Sequence, residues 1–375
     1  MKQLHPFFSL PGPRLIAITY AVLGLWLATT AMHIPDGYLS PATDLVMLML
    51  VFPFWVRGVQ HLRKTVNARN IPVIALFAAL SFVIMMFNVP LPGGTTGHAV
   101  GGALAAIVLG PEVASIAITI ALVIQAIFFG DGGILAIGAN CFNMAVVLPY
   151  VSYHLYLSLL KNPKIREKGQ AVAAGIGGWA GLTIAALFAG IEFGLQPLLF
   201  HTANGTPLYA PYPLSIAIPA MVIPHALVAS VVEGVFTALV VAYLMRSNQA
   251  VLAKSAKLAE AARPGHLPVR NTAILLLVLV IATPLGLLAP GTAWGEWGGE
   301  QLQSLGLGFI PSGLKAMENL WSAPLPGYNL PAIHNPVLGY LLSATLGVFL
   351  VGFLAWLFTN LFLRLKPGTQ PESRQ

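Results

Sequence analysis

Residues 72–89 read PVIALFAALSFVIMMFNV, eighteen positions without one charged side chain. As a helix this stretch is about 27 Å long, close to the ~30 Å hydrocarbon core of a bilayer. Lipid offers no partner to backbone N–H and C=O groups, so a segment this apolar satisfies them within its own helix. Similar segments recur near 15–31, 43–60, 98–110, 112–130, 134–158, 171–195, 214–245, 272–290 and 336–363. Gly110 and Pro111 split the pair at 98–130, a helix stop and restart, so that pair reads as two spans or one bent one. Composition agrees: 57% of the 375 residues are hydrophobic and 8% charged, against about 25% charged in soluble domains. The expected fold class is an all-α integral membrane protein. It has about seven helices in a core domain, then a two-helix accessory domain with an external loop, after an N-terminal signal-like segment.

The formal charge of +7 reflects topology rather than a nucleic-acid partner. If the 57–71 loop is cytoplasmic and the spans alternate, 16 of the 19 basic residues fall inside, as the positive-inside rule expects. Lys2 and Arg14 precede the first apolar run, also inside, and only Lys315 falls outside. The lone cysteine, Cys141, excludes an internal disulfide framework and a multi-cysteine metal site. No GxxxxGK[ST] stretch is present, so the chain does not hydrolyse ATP itself; HExxH and GxSxG are absent too. An energised importer built on it needs separate ATPase subunits and a coupling membrane subunit.

The expected layout is a signal or signal-like segment at 1–31, a transmembrane domain at 32–245, a polar cytoplasmic linker at 246–270, a two-span domain at 271–366 and a cytoplasmic tail at 367–375. Residues 1–31 have a basic start, an apolar run from Leu15 to Ala28, and Thr29, Thr30 and Ala31. That pattern fits a secretory signal cleaved after Ala31. An uncleaved anchor helix is one alternative; a true start at Met32 is another.

Met32-His33-Ile34-Pro35-Asp36-Gly37-Tyr38-Leu39-Ser40 carries the clearest chemistry. If the chain begins at Met32, its terminal amine, the His33 amide nitrogen and the His33 imidazole face one cation and close two small rings. Such a nitrogen set favours planar coordination and suits Ni(II) or Cu(II). His98, in the glycine-rich stretch 92–102 on the same side, is the best candidate for a fourth nitrogen. Alone, a His at a helix start reads more readily as a capping or interfacial residue.

MHIPDGYLSP at 32–41 and GGTTGHAVGG at 93–102 resemble the signature segments of the CbiM/NikM family, the substrate-capture membrane subunits of energy-coupling-factor importers for cobalt and nickel. The resemblance covers about residues 32–245. It implies metal ligation by Met32, His33 and His98, with the mature N-terminus plugged into the membrane domain; the 31-residue extension departs from the pattern. It also implies Co2+ or Ni2+ as transported substrate, a transmembrane coupling subunit and cytoplasmic ATPase subunits as partners, and a supply to cobalamin biosynthesis or nickel enzymes. Planar nitrogen ligation tilts towards nickel, overall similarity towards cobalt. Residues 283–298 and 321–331 look like the PDGLE-type accessory domain, although Pro284-Leu285-Gly286-Leu287 lacks its acidic residues. The implied role is to help metal in or to engage the core subunit. The setting is the inner (plasma) membrane, multi-pass, with the mature N-terminus outside, the C-terminus cytoplasmic and lipid around the helices.

Asp36, Asn88, Asn140 and His225 are candidates for a supporting shell around the ligands. Asp36 reads first as a turn residue, and buried amides such as Asn88, Gln125, Asn140 and Asn143 more often cross-link helices. His225 and Glu233 lie eight residues apart on one predicted span and share a face. Asp131-Gly132-Gly133 reads as a turn, His201 as a weak outer site, and Trp294, Trp297 and Trp321 as interfacial anchors. Two rival readings remain: a secondary metal transporter working without ATPase, and a non-transport intramembrane enzyme or scaffold centred on His225, Glu233 and Asn140.

Overall fold

A computed structural model of the chain describes residues 33–66, 70–91, 95–247, 269–289, 294–330 and 333–364. Met32, residues 1–31 and residues 367–375 lie outside the described residues, as does most of the expected linker. The first helix among the described residues, α1 (Pro41–Thr65), starts where Ser40 Oγ accepts from the Thr43 N–H at 3.1 Å and Pro41 takes the first turn, a position where its missing N–H costs nothing. Leu45, Met49 and Phe52 of α1 stay exposed, an apolar outer face that suits lipid.

Helix α2 (Ile71–Met85) is buried without interruption from Phe77 to Met85. A helix apolar on every side sits inside a bundle. It is followed by a short hairpin, β1 (Val89–Leu91) with β2 (Thr95–Gly97), antiparallel with Leu91 opposite Thr95. Helix α3 (Gly102–Leu109) and α4 (Pro111–Ile124, continuing as a π-helical turn at Gln125–Phe129) fold back on each other at Gly110. Gly110 has φ +86°, which a side chain resists. A Cβ on Gly102 would lie 3.4 Å from Ile118, so the pair is a hairpin rather than one bent span.

This corrects the expected span at 98–110. Only eight residues, 102–109, are helical, about 12 Å of rise, too short to cross a bilayer. Residues 98–100 are non-helical and buried. Glycines at 101 and 102 and the β-hairpin stop the helix from extending backwards, and irregular backbone at this depth is tolerated only where protein surrounds it.

Next come α5 (Ile137–Asn140), which runs through a π-helical stretch (Cys141–Val147) into α6 (Leu148–Leu159), then the short α7 (Pro163–Lys168) and α8 (Gln170–Leu199). Helix α9 (Leu214–Pro224) continues through a π turn (His225–Ala229) into α10 (Ser230–Ser247). Helices α8 and α10 approach at small residues: a Cβ on Gly234 would meet the Gly175 carbonyl at 2.6 Å. Close glycine contacts of this kind drive helix association where lipid removes the hydrophobic drive.

The C-terminal part has α11 (Val269–Ala282), running into a 3-10 turn (Thr283–Leu288), two short helices α12 (Gly299–Ser304) and α13 (Ser312–Met317), a 3-10 turn at Pro326–Tyr328, and α14 (Pro336–Arg364). Both α11 and α14 pack on α2; Tyr340 Oη donates to the Met86 carbonyl at 2.8 Å. The loop between them, expected only as an external Gly/Pro/Trp-rich stretch, is structured and sits on the N-terminal loop. Tyr38 Oη donates to the Trp297 carbonyl at 2.9 Å, and Leu314 lies against Gly37. Trp294 packs on Phe193 and Tyr212, and Trp321 Nε1 donates to the Ile127 carbonyl at 2.8 Å. These indoles fasten the loop to protein, beyond the interfacial anchoring expected of them.

Among the described residues, five helices are long and apolar enough to cross a membrane, with shorter apolar helices at Ile71–Met85 and Thr272–Leu288. The architecture is all-α, with the two-stranded hairpin as its only sheet among the described residues.

Candidate metal centre

His33 enters the bundle in an extended segment and His98 follows β2; both are buried, at 2% and 0% exposure. Their ring centroids are 5.1 Å apart at 32°. With metal–nitrogen distances of about 2 Å, one cation can touch a nitrogen of each ring. The two candidate ligands, 65 positions apart in sequence, are therefore brought together.

Each ring is held by its own partner. His98 Nδ1 lies 2.9 Å from the Ala99 carbonyl, which fixes the proton there and leaves Nε2, which has no hydrogen-bond partner, free to ligate. His33 Nδ1 lies 2.6 Å from Asp131 Oδ1, an ion-pair approach that falls short of hydrogen-bond alignment. Burial alone would raise the Asp131 carboxyl, but His33, Tyr328 and His98 around it hold it below the usual carboxylate range.

The segment carrying His33 is clamped by main-chain recognition. Asn140 Oδ1 accepts from the Ile34 N–H at 2.8 Å and its Nδ2 donates to the Ile34 carbonyl at 3.0 Å. Asp36 accepts from the N–H groups of Ile134 and Leu135 at 3.0 and 2.8 Å, ahead of α5. Asp36 thus ties the N-terminal loop to the 134–136 turn, a wider role than the local turn expected from sequence.

The loop carrying His98 is clamped from α10. Glu233, fully buried, accepts from the N–H groups of Val100 and Gly101 at 2.8 Å each and of Ala103 at 3.0 Å. A carboxylate suits the positive end of α3 and satisfies donors that helix geometry leaves over. His225, eight residues before Glu233 and also buried, lines a cavity of about 30 Å³ together with His33, Asn140, Asn143, Trp294 and Glu296. That space is of the order needed for one water or ion. Asn88, by contrast, is buried beside Gly286, and no hydrogen bond joins it to His33 or His98 among the described residues. His201 is exposed, its ring turned to the Thr202 carbonyl.

Sequence reasoning missed Asp131 and Tyr328 as neighbours of the site. Asp131 sits in an Asp-Gly-Gly turn, a sufficient explanation by itself. Tyr328 lies 197 positions from the carboxylate it bonds, and nothing local marks it.

The membrane-length helices define a multi-pass membrane protein, and the buried pair of imidazoles with its positioned polar partners is its candidate metal site. The chain belongs to the CbiM family: residues 33–251 match its cobalt uptake substrate-specific transmembrane region, and residues 270–364 match the PDGLE domain. It is 48% identical over 334 residues to the fused nickel transport protein NikMN of Rhodobacter capsulatus, covering 85% of this chain and 95% of that one. It is 46% identical over 276 residues to the probable fused nickel transport protein LarMN of Lactiplantibacillus plantarum, covering 72% and 80%. A crystal structure of a truncated transition metal transporter is similar at 52% identity and a TM-score of 0.55, covering 58% of this chain and 99% of that one. The chain is a non-enzymatic, CbiM-type component of metal uptake.

Proposed function

We propose that the chain is the metal-capturing subunit of an ATP-driven energy-coupling-factor importer for nickel, cobalt or both. The observation that carries this reading is the buried His33–His98 pair, each ring held by a separate polar partner. Met32 would add its terminal amine and His33 its amide nitrogen. A chelate through that amide closes on His33 Nδ1, so metal takes the place of Asp131 at this atom. The fused nickel relatives and planar nitrogen ligation favour nickel; the family's cobalt-uptake description keeps cobalt in the substrate class.

Residues 32–245 are read as the metal-binding transmembrane domain and 271–366 as the accessory domain, joined by a cytoplasmic linker. The setting proposed is the inner membrane, with the metal site facing outward. Arg63 stacks over Phe362 of α14 at 5.4 Å, which places the basic ends of α1 and α14 together, as a cytoplasmic face requires. Separate ATPase and coupling subunits would drive release, since the sequence lacks a phosphate-binding loop.

The test is uptake of radioactive nickel by cells expressing the chain with its ATPase and coupling partners. His98→Ala should abolish high-affinity uptake, and omitting the ATPases should do the same for the parent chain. Unchanged uptake by H98A would sink the ligand assignment; uptake independent of the ATPases would favour a secondary transporter.

A further inference from the structure

Asp131 is a carboxylate in contact with a proposed metal ligand, His33, and its second oxygen is held from the C-terminal part of the chain. Tyr328 Oη donates to Asp131 Oδ2, and Gln125 Nε2 lies 3.3 Å from the same oxygen and 2.8 Å from Tyr328 Oη. Tyr328 is buried at 4% exposure, its ring stacked on Phe129 at 4.8 Å. It is also the one non-glycine residue with positive φ among the described residues, at +60°. A tyrosine in the left-handed region costs energy and persists only where its surroundings over-determine it. Those surroundings are visible: the Leu325 N–H donates to the Phe128 carbonyl at 2.9 Å, so the loop docks on the π-helical turn at Gln125–Phe129, a feature frequent at functional sites.

We propose that Tyr328 is a positioning residue for metal capture, acting through Asp131 on His33. This rests on the reading of His33 as a ligand. The carboxylate has two competing attachments, the His33 ring on one oxygen and the phenol on the other. The phenol stabilises the carboxylate independently of His33, so Asp131 can give up Nδ1 to an incoming metal without becoming a buried, poorly partnered charge. Without it, Asp131 depends more heavily on His33 and holds that ring against chelation. The C-terminal part of the chain thereby belongs to the capture site itself.

The experiment is nickel titration of the full chain purified from membranes, with Ni(II) alone as the probe. Tyr328→Phe keeps the ring and removes the hydroxyl; it should weaken nickel binding about tenfold, the lower end of what outer-shell changes cost a metal site. On an Asp131→Asn background the same substitution should change nothing, because the route to His33 is already cut. Tyr340→Phe, which removes a hydroxyl bonded to Met86 instead, should bind like the parent. An unchanged affinity in Y328F overturns the proposal, and so does a tenfold loss that persists on the D131N background or is matched by Y340F. If H98A and H33A also bind like the parent, the ligand reading itself has failed; if they lose binding while Y328F does not, only the positioning role has.

Discussion

At the scale of residues, a few side chains hold the site's main chain, and their loss is unequal. Asn140 and Asp36 hold the segment bearing His33, while Glu233 takes three N–H groups of the loop bearing His98 and Ser81 Oγ donates to its Val100 carbonyl. Glu233→Ala strips three buried N–H groups of their acceptor. Unsatisfied buried donors cost about 1–3 kcal/mol each when nothing replaces the partner, partly relieved here if water enters. The expected outcome is a clear fall in thermal unfolding midpoint together with loss of nickel binding; a parental midpoint would show that the carboxylate is not what orders the loop. Glu233→Gln keeps one acceptor oxygen and should fall between the two.

His33 and His98, the proposed ligands, stand out in the sequence because their signals are local: a short chelating motif and a glycine-flanked histidine. Their attachments were legible only in part. Glu233 stood out as an ionisable group inside an apolar span, but its backbone partners, 130 to 133 positions away, leave no mark on residues 226–240. Asp131 was hidden by its own turn, since Asp-Gly-Gly explains itself without a ligand.

At the scale of elements, hydropathy located the membrane-length segments because each carries its own apolar run. It failed at 98–110, where the run is apolar yet mostly not a spanning helix. Burial in protein and burial in lipid demand the same composition, so hydropathy does not separate a half-length helix with a buried loop from a full span. Helix contacts were also invisible, because they depend on which glycine meets which backbone. Gly138 is such a point: a Cβ there would lie 2.5 Å from the Leu48 nitrogen and 2.7 Å from its Cα, fixed main chain of α1. A Cβ on Gly102 would meet side chains rather than main chain, the tip of Leu148 at 2.5 Å and Ile118 at 3.4 Å, and these can turn away. Gly138→Ala should therefore lower the unfolding midpoint more than Gly102→Ala, with overpacking costing roughly 1–3 kcal/mol. Equal midpoints would mean that α1 and α5 separate at no cost.

At the scale of the whole molecule, the C-terminal part is more than an appendage. Its helices cover α2, its loop sits on the N-terminal segment at Tyr38 and Gly37, and Tyr328 reaches the carboxylate beside His33. Sequence indicated a second unit after a polar stretch but could not indicate where it docks. A chain arranged this way closes the candidate metal site from three directions: the N-terminal segment, the His98 loop, and the loop between α11 and α14 that carries Glu296 to the cavity beside His33. Such enclosure excludes water and favours nitrogen ligands fixed in advance.

The central claim is that nickel is held by nitrogen atoms of the N-terminal segment and His98. X-ray absorption at the nickel edge of the metal-loaded chain tests it most directly. The expected result is a four-coordinate planar centre with nitrogen neighbours alone, lost in H98A. A six-coordinate centre dominated by oxygen, or a planar one unchanged in H98A, would contradict it.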